Sequence, residues 1–144
     1  MSARRTLLRV LSRFHTGLYQ VSGGRLGTRI GHLEQVLLTT TGRRTGARRT
    51  VPLLGIPHED GVLLVASAGG SERHPDWYLN VLADPEVVLR RGRRSTRMHA
   101  RPADPVERAA WWPVAVATFD GYRRYQERTA REIPVVVCRP VSES

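Results

Sequence analysis

Four arginines crowd one short turn. The segment Leu37–Leu53 reads L-L-T-T-T-G-R-R-T-G-A-R-R-T-V-P-L, a strand, a glycine turn and a second strand. Arg43, Arg44, Arg48 and Arg49 place fixed positive charge there, and Thr39, Thr40, Thr41 and Thr45 add hydroxyl donors. Gly42 and Gly46 let the backbone bend and approach a ligand closely. Guanidinium groups grip oxyanions bidentately, so this is the chemistry of a site for a phosphate or a polycarboxylate tail. The same residues also describe an ordinary solvated basic hairpin, and the turn alone leaves both readings open.

A second loop, Ser67–Asn80, reads S-A-G-G-S-E-R-H-P-D-W-Y-L-N directly after a strand. Ser67 and the Gly69-Gly70 pair can offer hydroxyl and backbone donors, and the helix starting near Pro75 favours anions at its N-terminus. Trp77 can lie against an aromatic ring or be core, and Asn80 can hydrogen-bond a polar ring. His74 reads as a base or as a capping residue. No HExxH, CxxC or paired His/carboxylate spacing supports a metal, and no Ser/His/Asp set is identifiable. The glycine turns match neither the dinucleotide fingerprint nor the phosphate loop ending in Gly-Lys-Ser/Thr. If the chain is an enzyme, the hard chemistry belongs to a cofactor.

The elements that must position these residues follow from patterning. Strands are expected at 35–41, 48–56 and 62–67, joined by the turn at 42–46 and by P-H-E-D-G (57–61). A short helix fits 75–82, stopped by Asp84-Pro85. Strands at 86–90 and 95–101 form a hairpin around R-R-G-R-R, and 134–138 is a last buried strand. Asp104, Pro105 and Glu107 start a helix as a capping box, which Pro113 should bend or split. Phe119, Tyr122 and Tyr125 then fall on a following helix. Six short strands imply a closed or half-closed antiparallel barrel with inserted helices, an α+β fold.

At 144 residues the chain holds one core. Its formal charge is +10 and all 23 of its basic residues are arginine, implying an acidic partner. The single Cys138 excludes a disulfide framework and reads as a buried, inert thiol. Residues 1–30 are set apart: Leu7, Leu11, Phe14 and Leu18 share one helical face, opposite Arg5, Arg9 and Arg13, and Glu34 is the first acidic residue. Such a cationic amphipathic helix can lie on an anionic membrane or dock on the domain formed by 31–144, and the two are compatible. No apolar run spans a bilayer and no signal peptide is evident, so a cytoplasmic protein is expected, with peripheral contact at the inner face of the cell membrane left open. Nucleic acid is a poor partner: aromatics are only 6% and none interleave with the arginine turns.

Three motifs in order, the Leu37–Leu53 segment, V-A-S-A-G-G-S-E-R-H-P-D-W-Y-L-N-V-L-A-D-P-E-V (65–87) and I-P-V-V-V-C-R-P (133–140), strongly resemble the deazaflavin-dependent nitroreductase family. These are actinobacterial, flavin-reductase-like proteins with a split β-barrel that use coenzyme F420. The resemblance runs from about Gly31 to Pro140, nearly the whole domain. It implies a barrel of about six strands. It also implies a cofactor made of a deazaflavin ring, a phosphate and an oligoglutamate tail. By analogy Arg43, Arg44, Thr45 and Arg49 hold the phosphate and tail. Thr50, Val51, Pro52, Leu53 and Leu54, with Val65, Ala66, Ser67 and Ala68, line the ring. Asp76, Trp77, Tyr78 and Asn80 close the pocket, and Tyr122 and Tyr125 lie near ring and substrate. Ser67, Tyr122 or Tyr125 would polarise the acceptor or pass a proton.

The departures narrow the substrate. Family members that activate nitroimidazoles have tyrosine where this chain has Leu54 and Phe119, and lysine where it has Ala68. An apolar acceptor site beside a cationic amphipathic segment suits a lipophilic quinone such as menaquinone. The expected activity is an F420H2-dependent quinone or nitro-compound reductase, as a monomer or homodimer. The alternatives are a non-catalytic F420-binding protein and a reductase using FMN.

Overall fold

The computed structural model describes residues 29–30 and 33–141. The expected N-terminal helix lies outside the described residues. Seven strands form one sheet: β1 (Arg29–Ile30), β2 (Leu33–Thr41), β3 (Arg48–His58), β4 (Gly61–Val65), β5 (Glu86–Arg91), β6 (Arg94–Pro102) and β7 (Val135–Pro140). Three helices follow the chain between them: α1 (Asp76–Ala83), α2 (Pro105–Thr118) and α3 (Gly121–Glu127).

Six of the strands close on themselves. The order β2-β3-β4-β7-β6-β5 returns to β2 through the pairs Leu37–Arg90, Leu38–Leu89 and Thr39–Val88, and every pairing is antiparallel. Closure removes the sheet's free edges. This is the six-stranded barrel that the strand pattern implied. β1 adds a short segment to β2, pairing Arg29 with Glu34.

Strand alternation builds two cores. Val36, Leu38, Val62, Leu64, Leu89, Val136 and Cys138 point inward and pack with Trp77, Tyr78 and Val81 of α1. Leu63, Val65, Val135 and Val137 point outward and are covered by α2, α3 and Ile133. Truncating Leu38 or Leu64, both fully buried, to alanine would cost about 2–5 kcal/mol through lost burial and the cavity left. At Gly55 an added Cβ would stand 2.8 Å from the Val36 side chain, so the packed interior itself demands glycine. Cys138 is fully buried, and burial pushes its thiol up to about 12.

α2 begins as expected. Asp104 accepts from the Glu107 N–H at 2.8 Å, and Glu107 accepts from the Asp104 N–H at 3.0 Å. Arg101 grips the Glu107 carboxylate through both nitrogens at 2.7 Å, and this contact, with the Asp104 backbone bond, lowers its pKa to about 2.

Most strand ends lie one or two residues from the expected positions, and three further differences bear on the site. Pro113 does not split the helix, which runs through it to Thr118. The break falls at Phe119, whose backbone is extended, so Phe119 sits at the α2–α3 junction rather than on α3. β4 stops at Val65, which leaves Ser67 in the turn beyond it. The β2–β3 turn, the loop after β4 and the start of β7 share one end of the barrel. The β3–β4 and β5–β6 turns share the opposite end.

Candidate functional site

The arginine turn is a built structure. The Gly42 N–H donates to the Ala47 carbonyl at 2.7 Å and the Gly46 N–H to the Gly42 carbonyl at 2.8 Å. Gly46 adopts φ 73°, open to glycine at little cost. The Thr45 hydroxyl accepts from the Ala47 N–H at 3.2 Å. Arg43 is a strut: its backbone N–H and Nη1 both reach Asn80 Oδ1, at 3.1 and 3.0 Å, and Nη2 lies 3.5 Å from Asp76. Asn80 Nδ2 in turn donates to the buried Thr40 hydroxyl at 3.1 Å. The side-chain amide of Asn80, 4% exposed, therefore anchors the turn to α1. Arg44, Arg48 and Arg49 are exposed and have no ion-pair partner among the described residues, so the capacity to bind oxyanions rests with them.

β3 connects this turn to an aromatic wall. Thr50, Pro52 and Leu54 alternate with Val51 and Leu53, which pack against the barrel core. Thr50 shares a hydrogen bond of 2.8 Å with Thr39 across the strands. Leu54 packs with Phe119, Tyr125, Trp111 and Trp112 against the outer core that contains Val65 and Tyr122. Phe119 stands edge-on to Tyr122, with centroids 5.1 Å apart, and 6.1 Å from Tyr125. From Arg48 to Leu54 the strand covers roughly 20 Å at about 3.3 Å per residue. Burial, and then the neighbouring Tyr125, raise the Tyr122 pKa, so its phenol stays protonated at neutral pH.

The loop after β4 is the third part. Ala66 is fully buried and donates its N–H to the Pro134 carbonyl at 3.0 Å. Ser67 is right-handed, and Ala68, Gly69 and Gly70 follow with φ of 46°, 63° and 84°. A right-to-left-handed change of this kind turns successive N–H groups toward one side, a concavity for an electron-rich atom. Gly70 packs on α3 so closely that a Cβ would stand 2.8 Å from the Tyr125 carbonyl.

Arg131, which no sequence pattern singled out, holds this loop. Its guanidinium donates to the carbonyls of Ser67 at 2.8 Å, Ala66 at 3.2 Å and Ser71 at 2.8 Å, and lies 3.1 Å from His74 Nδ1. Burial and then the Arg131 charge lower the His74 pKa, so the imidazole is neutral and accepts from the arginine. His74 also stacks on Tyr78, centroids 4.7 Å apart. Trp77 and Tyr78 are buried in the barrel core, 6% and 8% exposed. Among the described residues no group of His, Cys, Asp and Glu could hold a metal ion.

An antiparallel barrel with an arginine-rich turn, one strand leading to an aromatic wall, and a left-handed loop at the barrel end defines a split-barrel protein. Comparison with known proteins gives that class its family. The family model for F420H(2)-dependent quinone reductase matches residues 11–140. The F420H(2)-dependent quinone reductase Rv1261c of Mycobacterium tuberculosis (strain H37Rv) is 40% identical over 131 residues, 88% of each chain. A solved F420-H2 dependent reductase, FDR-A, superposes with a TM-score of 0.68 at 40% identity, covering 73% of this chain and 93% of its own. A structure described as a domain-swapped dimer gives a TM-score of 0.71 at 36% identity, covering 88% and 96%. This chain belongs to the F420H(2)-dependent quinone reductase family and is an oxidoreductase.

Proposed function

We propose that the chain passes hydride from reduced coenzyme F420 to a lipophilic quinone of the menaquinone class. The observation that carries this is the course of β3, from three exposed arginines at one end to Leu54 and the aromatic wall at the other. The residues fit the cofactor's chemistry. Arg44, Arg48 and Arg49 suit a phosphate and an oligoglutamate tail, with Arg43 and Thr45 shaping the turn. The N–H groups at Ser67–Gly69 suit a ring carbonyl oxygen. The family match supports F420, and nothing supports the FMN alternative.

Reduced F420 supplies two electrons at once as hydride when bound. The chain orients ring and acceptor and excludes water around them. Tyr122, kept protonated by burial, its neighbour Tyr125, and Ser67 of the loop after β4 would supply hydroxyls that polarise a quinone oxygen or pass it a proton. Leu54, Ala68 and Phe119 leave the acceptor side without the hydroxyls and ammonium that nitroimidazole reduction would call on, which favours quinones over nitro compounds. A lipid-borne acceptor also fits peripheral membrane contact through the arginine-rich residues 1–30. The homodimer is the assembly to test first, because a solved relative is described as a dimer.

The test is reoxidation of F420H2, followed by recovery of its absorbance, with menadione and with a nitroimidazole as acceptors. Saturable quinone-dependent reoxidation supports the reading. Cofactor binding without reoxidation by any quinone would leave a non-catalytic F420-binding protein.

A further inference from the structure

Gln126, near the end of α3, is the hub of the segment that leads from α3 to β7. Its side-chain amide is used at both ends. Oε1 accepts from the Ile133 N–H at 2.9 Å and from Arg108 Nη2 at 3.1 Å. Nε2 donates to the Arg131 carbonyl at 2.7 Å and lies 3.5 Å from the Thr129 carbonyl. Two donors face the oxygen and two carbonyls face the nitrogen, so only one orientation of the amide satisfies all four groups. Arg108 backs this arrangement from α2. Its Nε donates to the Ile133 carbonyl at 2.9 Å, and its guanidinium lies over the Trp112 ring, 4.5 Å from the centroid.

These bonds close a triangle. The first side is the Gln126 amide on the Arg131 backbone. The second is the Arg131 guanidinium on the carbonyls of Ala66, Ser67 and Ser71. The third is direct packing of the loop on α3: a Cβ at Gly70 would stand 2.8 Å from the Tyr125 carbonyl and 3.0 Å from its Cα, so no side chain fits between them. Tyr125 and Gln126 are adjacent in α3. Tyr122 lies one turn earlier, its ring centroid 6.3 Å from that of Tyr125. The loop after β4 and the two tyrosines are thus held as one body.

We infer that Gln126 is a positioning residue for hydride transfer: its amide fixes the tyrosines of α3 relative to the loop after β4. The inference rests on the cofactor and acceptor sites proposed above, which put the ring against that loop and the quinone beside those tyrosines. Hydride transfer needs the reacting atoms in near contact, and a displacement of about 1 Å can cost about a hundredfold in rate. The arginine turn stands outside the triangle, since Arg43 ties it to α1 through Asn80. Loosening the triangle at Gln126 therefore lowers turnover more than cofactor binding. Arg131 differs, because its guanidinium holds the loop carbonyls themselves.

The substitution Gln126→Glu separates the two ends of the amide. A carboxylate still accepts from Ile133 and Arg108 and cannot donate to the Arg131 carbonyl. Two measurements are made on the full chain: amide hydrogen exchange without cofactor, and F420H2 reoxidation by menadione with an F420 titration alongside. The Gly70 and Ser71 amides, which donate to the Ser67 and Ala68 carbonyls, should exchange at least about tenfold faster, with the amides of β4 and β7 unchanged. The kcat should fall at least about tenfold, while the menadione KM and the F420 Kd move less than about threefold. Gln126→Asn keeps donor and acceptor but is one methylene too short. It should give the same pattern, and it serves if the carboxylate prevents folding. Unchanged exchange at Gly70 and Ser71 overturns the positioning role whether or not the chain reduces quinone. Faster exchange with native kcat confines Gln126 to a structural role and overturns it too. A native chain that binds F420 and reduces no quinone sinks the reductase reading and with it the role in hydride transfer; faster exchange in the variant would still show that Gln126 holds the loop.

Discussion

Arg131 Nη2 donates to the Ser67 carbonyl at 2.8 Å, tying the segment between α3 and β7 to the loop after β4 across 64 positions of sequence. The same guanidinium satisfies the carbonyls of Ala66 and Ser71. The left-handed run at Ala68–Gly70 is held in place from behind by one side chain. A non-glycine residue at φ 46° costs free energy on its own, so Ala68 needs such support.

Replacing Arg131 should therefore loosen the loop. Arg131→Ala leaves three carbonyls without this partner, and charge-assisted hydrogen bonds contribute about 1.5–3 kcal/mol. The melting temperature should fall by several degrees and F420 affinity by about tenfold. Arg131→Lys keeps the charge but cannot span these carbonyls, and should resemble alanine in cofactor affinity. Calorimetric titration of both variants checks this. A lysine variant with native affinity would show that charge alone suffices.

His74 supplies a pH dependence. Burial, and then Arg131, lower its pKa below 6.5, so the unfolded chain binds more protons than the folded one as pH falls through that value. Stability is complete above the unfolded pKa and is lost as pH drops toward the folded one. Melting temperature and F420 affinity should both decline below about pH 6.5. His74→Gln, which cannot titrate, should flatten that decline. Equal acid sensitivity in the variant would assign it elsewhere.

The arginines of the turn divide into two kinds. Arg43 is committed to Asn80 and Asp76, so Arg43→Ala should lower both melting temperature and F420 affinity. Arg44 and Arg49 face solvent, so the double change to alanine should weaken F420 at least tenfold while melting stays within about 2 °C. Unchanged affinity in the double variant would remove the tail-binding role from this turn.

Much of this was legible in the sequence. The strands around Val36–Leu38 and Val62–Val65 are legible as continuous apolar runs, though which side chains face inward is not, and Asp104-Pro105 with Glu107 marks the start of α2 because a capping box is local. Contacts that depend on closure were not legible. Nothing near Arg131 or Asn80 in sequence reveals that one holds a loop 60 residues away and the other holds Arg43. Pro113 suggested a bend or a split by its missing N–H, and the split does not occur: with Trp111, Trp112 and Ala115 packed on the outer core, the helix runs on to Thr118.

Cys138 offers a simple check of the barrel interior. Its thiol, fully buried and raised to about 12, should resist disulfide reagents in the folded protein and react at once in denaturant. Rapid labelling without denaturant would mean that the barrel opens readily between β4 and β7.

Tyr122 separates turnover from binding. Tyr122→Phe keeps the packing against Phe119 and Tyr125 but removes the hydroxyl. Turnover with quinone should fall more than cofactor affinity. Equal turnover would shift the proton-donating role to Tyr125 or Ser67.

The central claim is that the arginine turn and the aromatic wall together take a deazaflavin with an acidic tail. Calorimetric titration of the full chain with F420 and with FMN tests it most directly. The account predicts saturable F420 binding near the micromolar range and FMN at least tenfold weaker, because FMN lacks the carboxylates that Arg44, Arg48 and Arg49 would hold. Absent F420 binding, or FMN binding as tight, would contradict it.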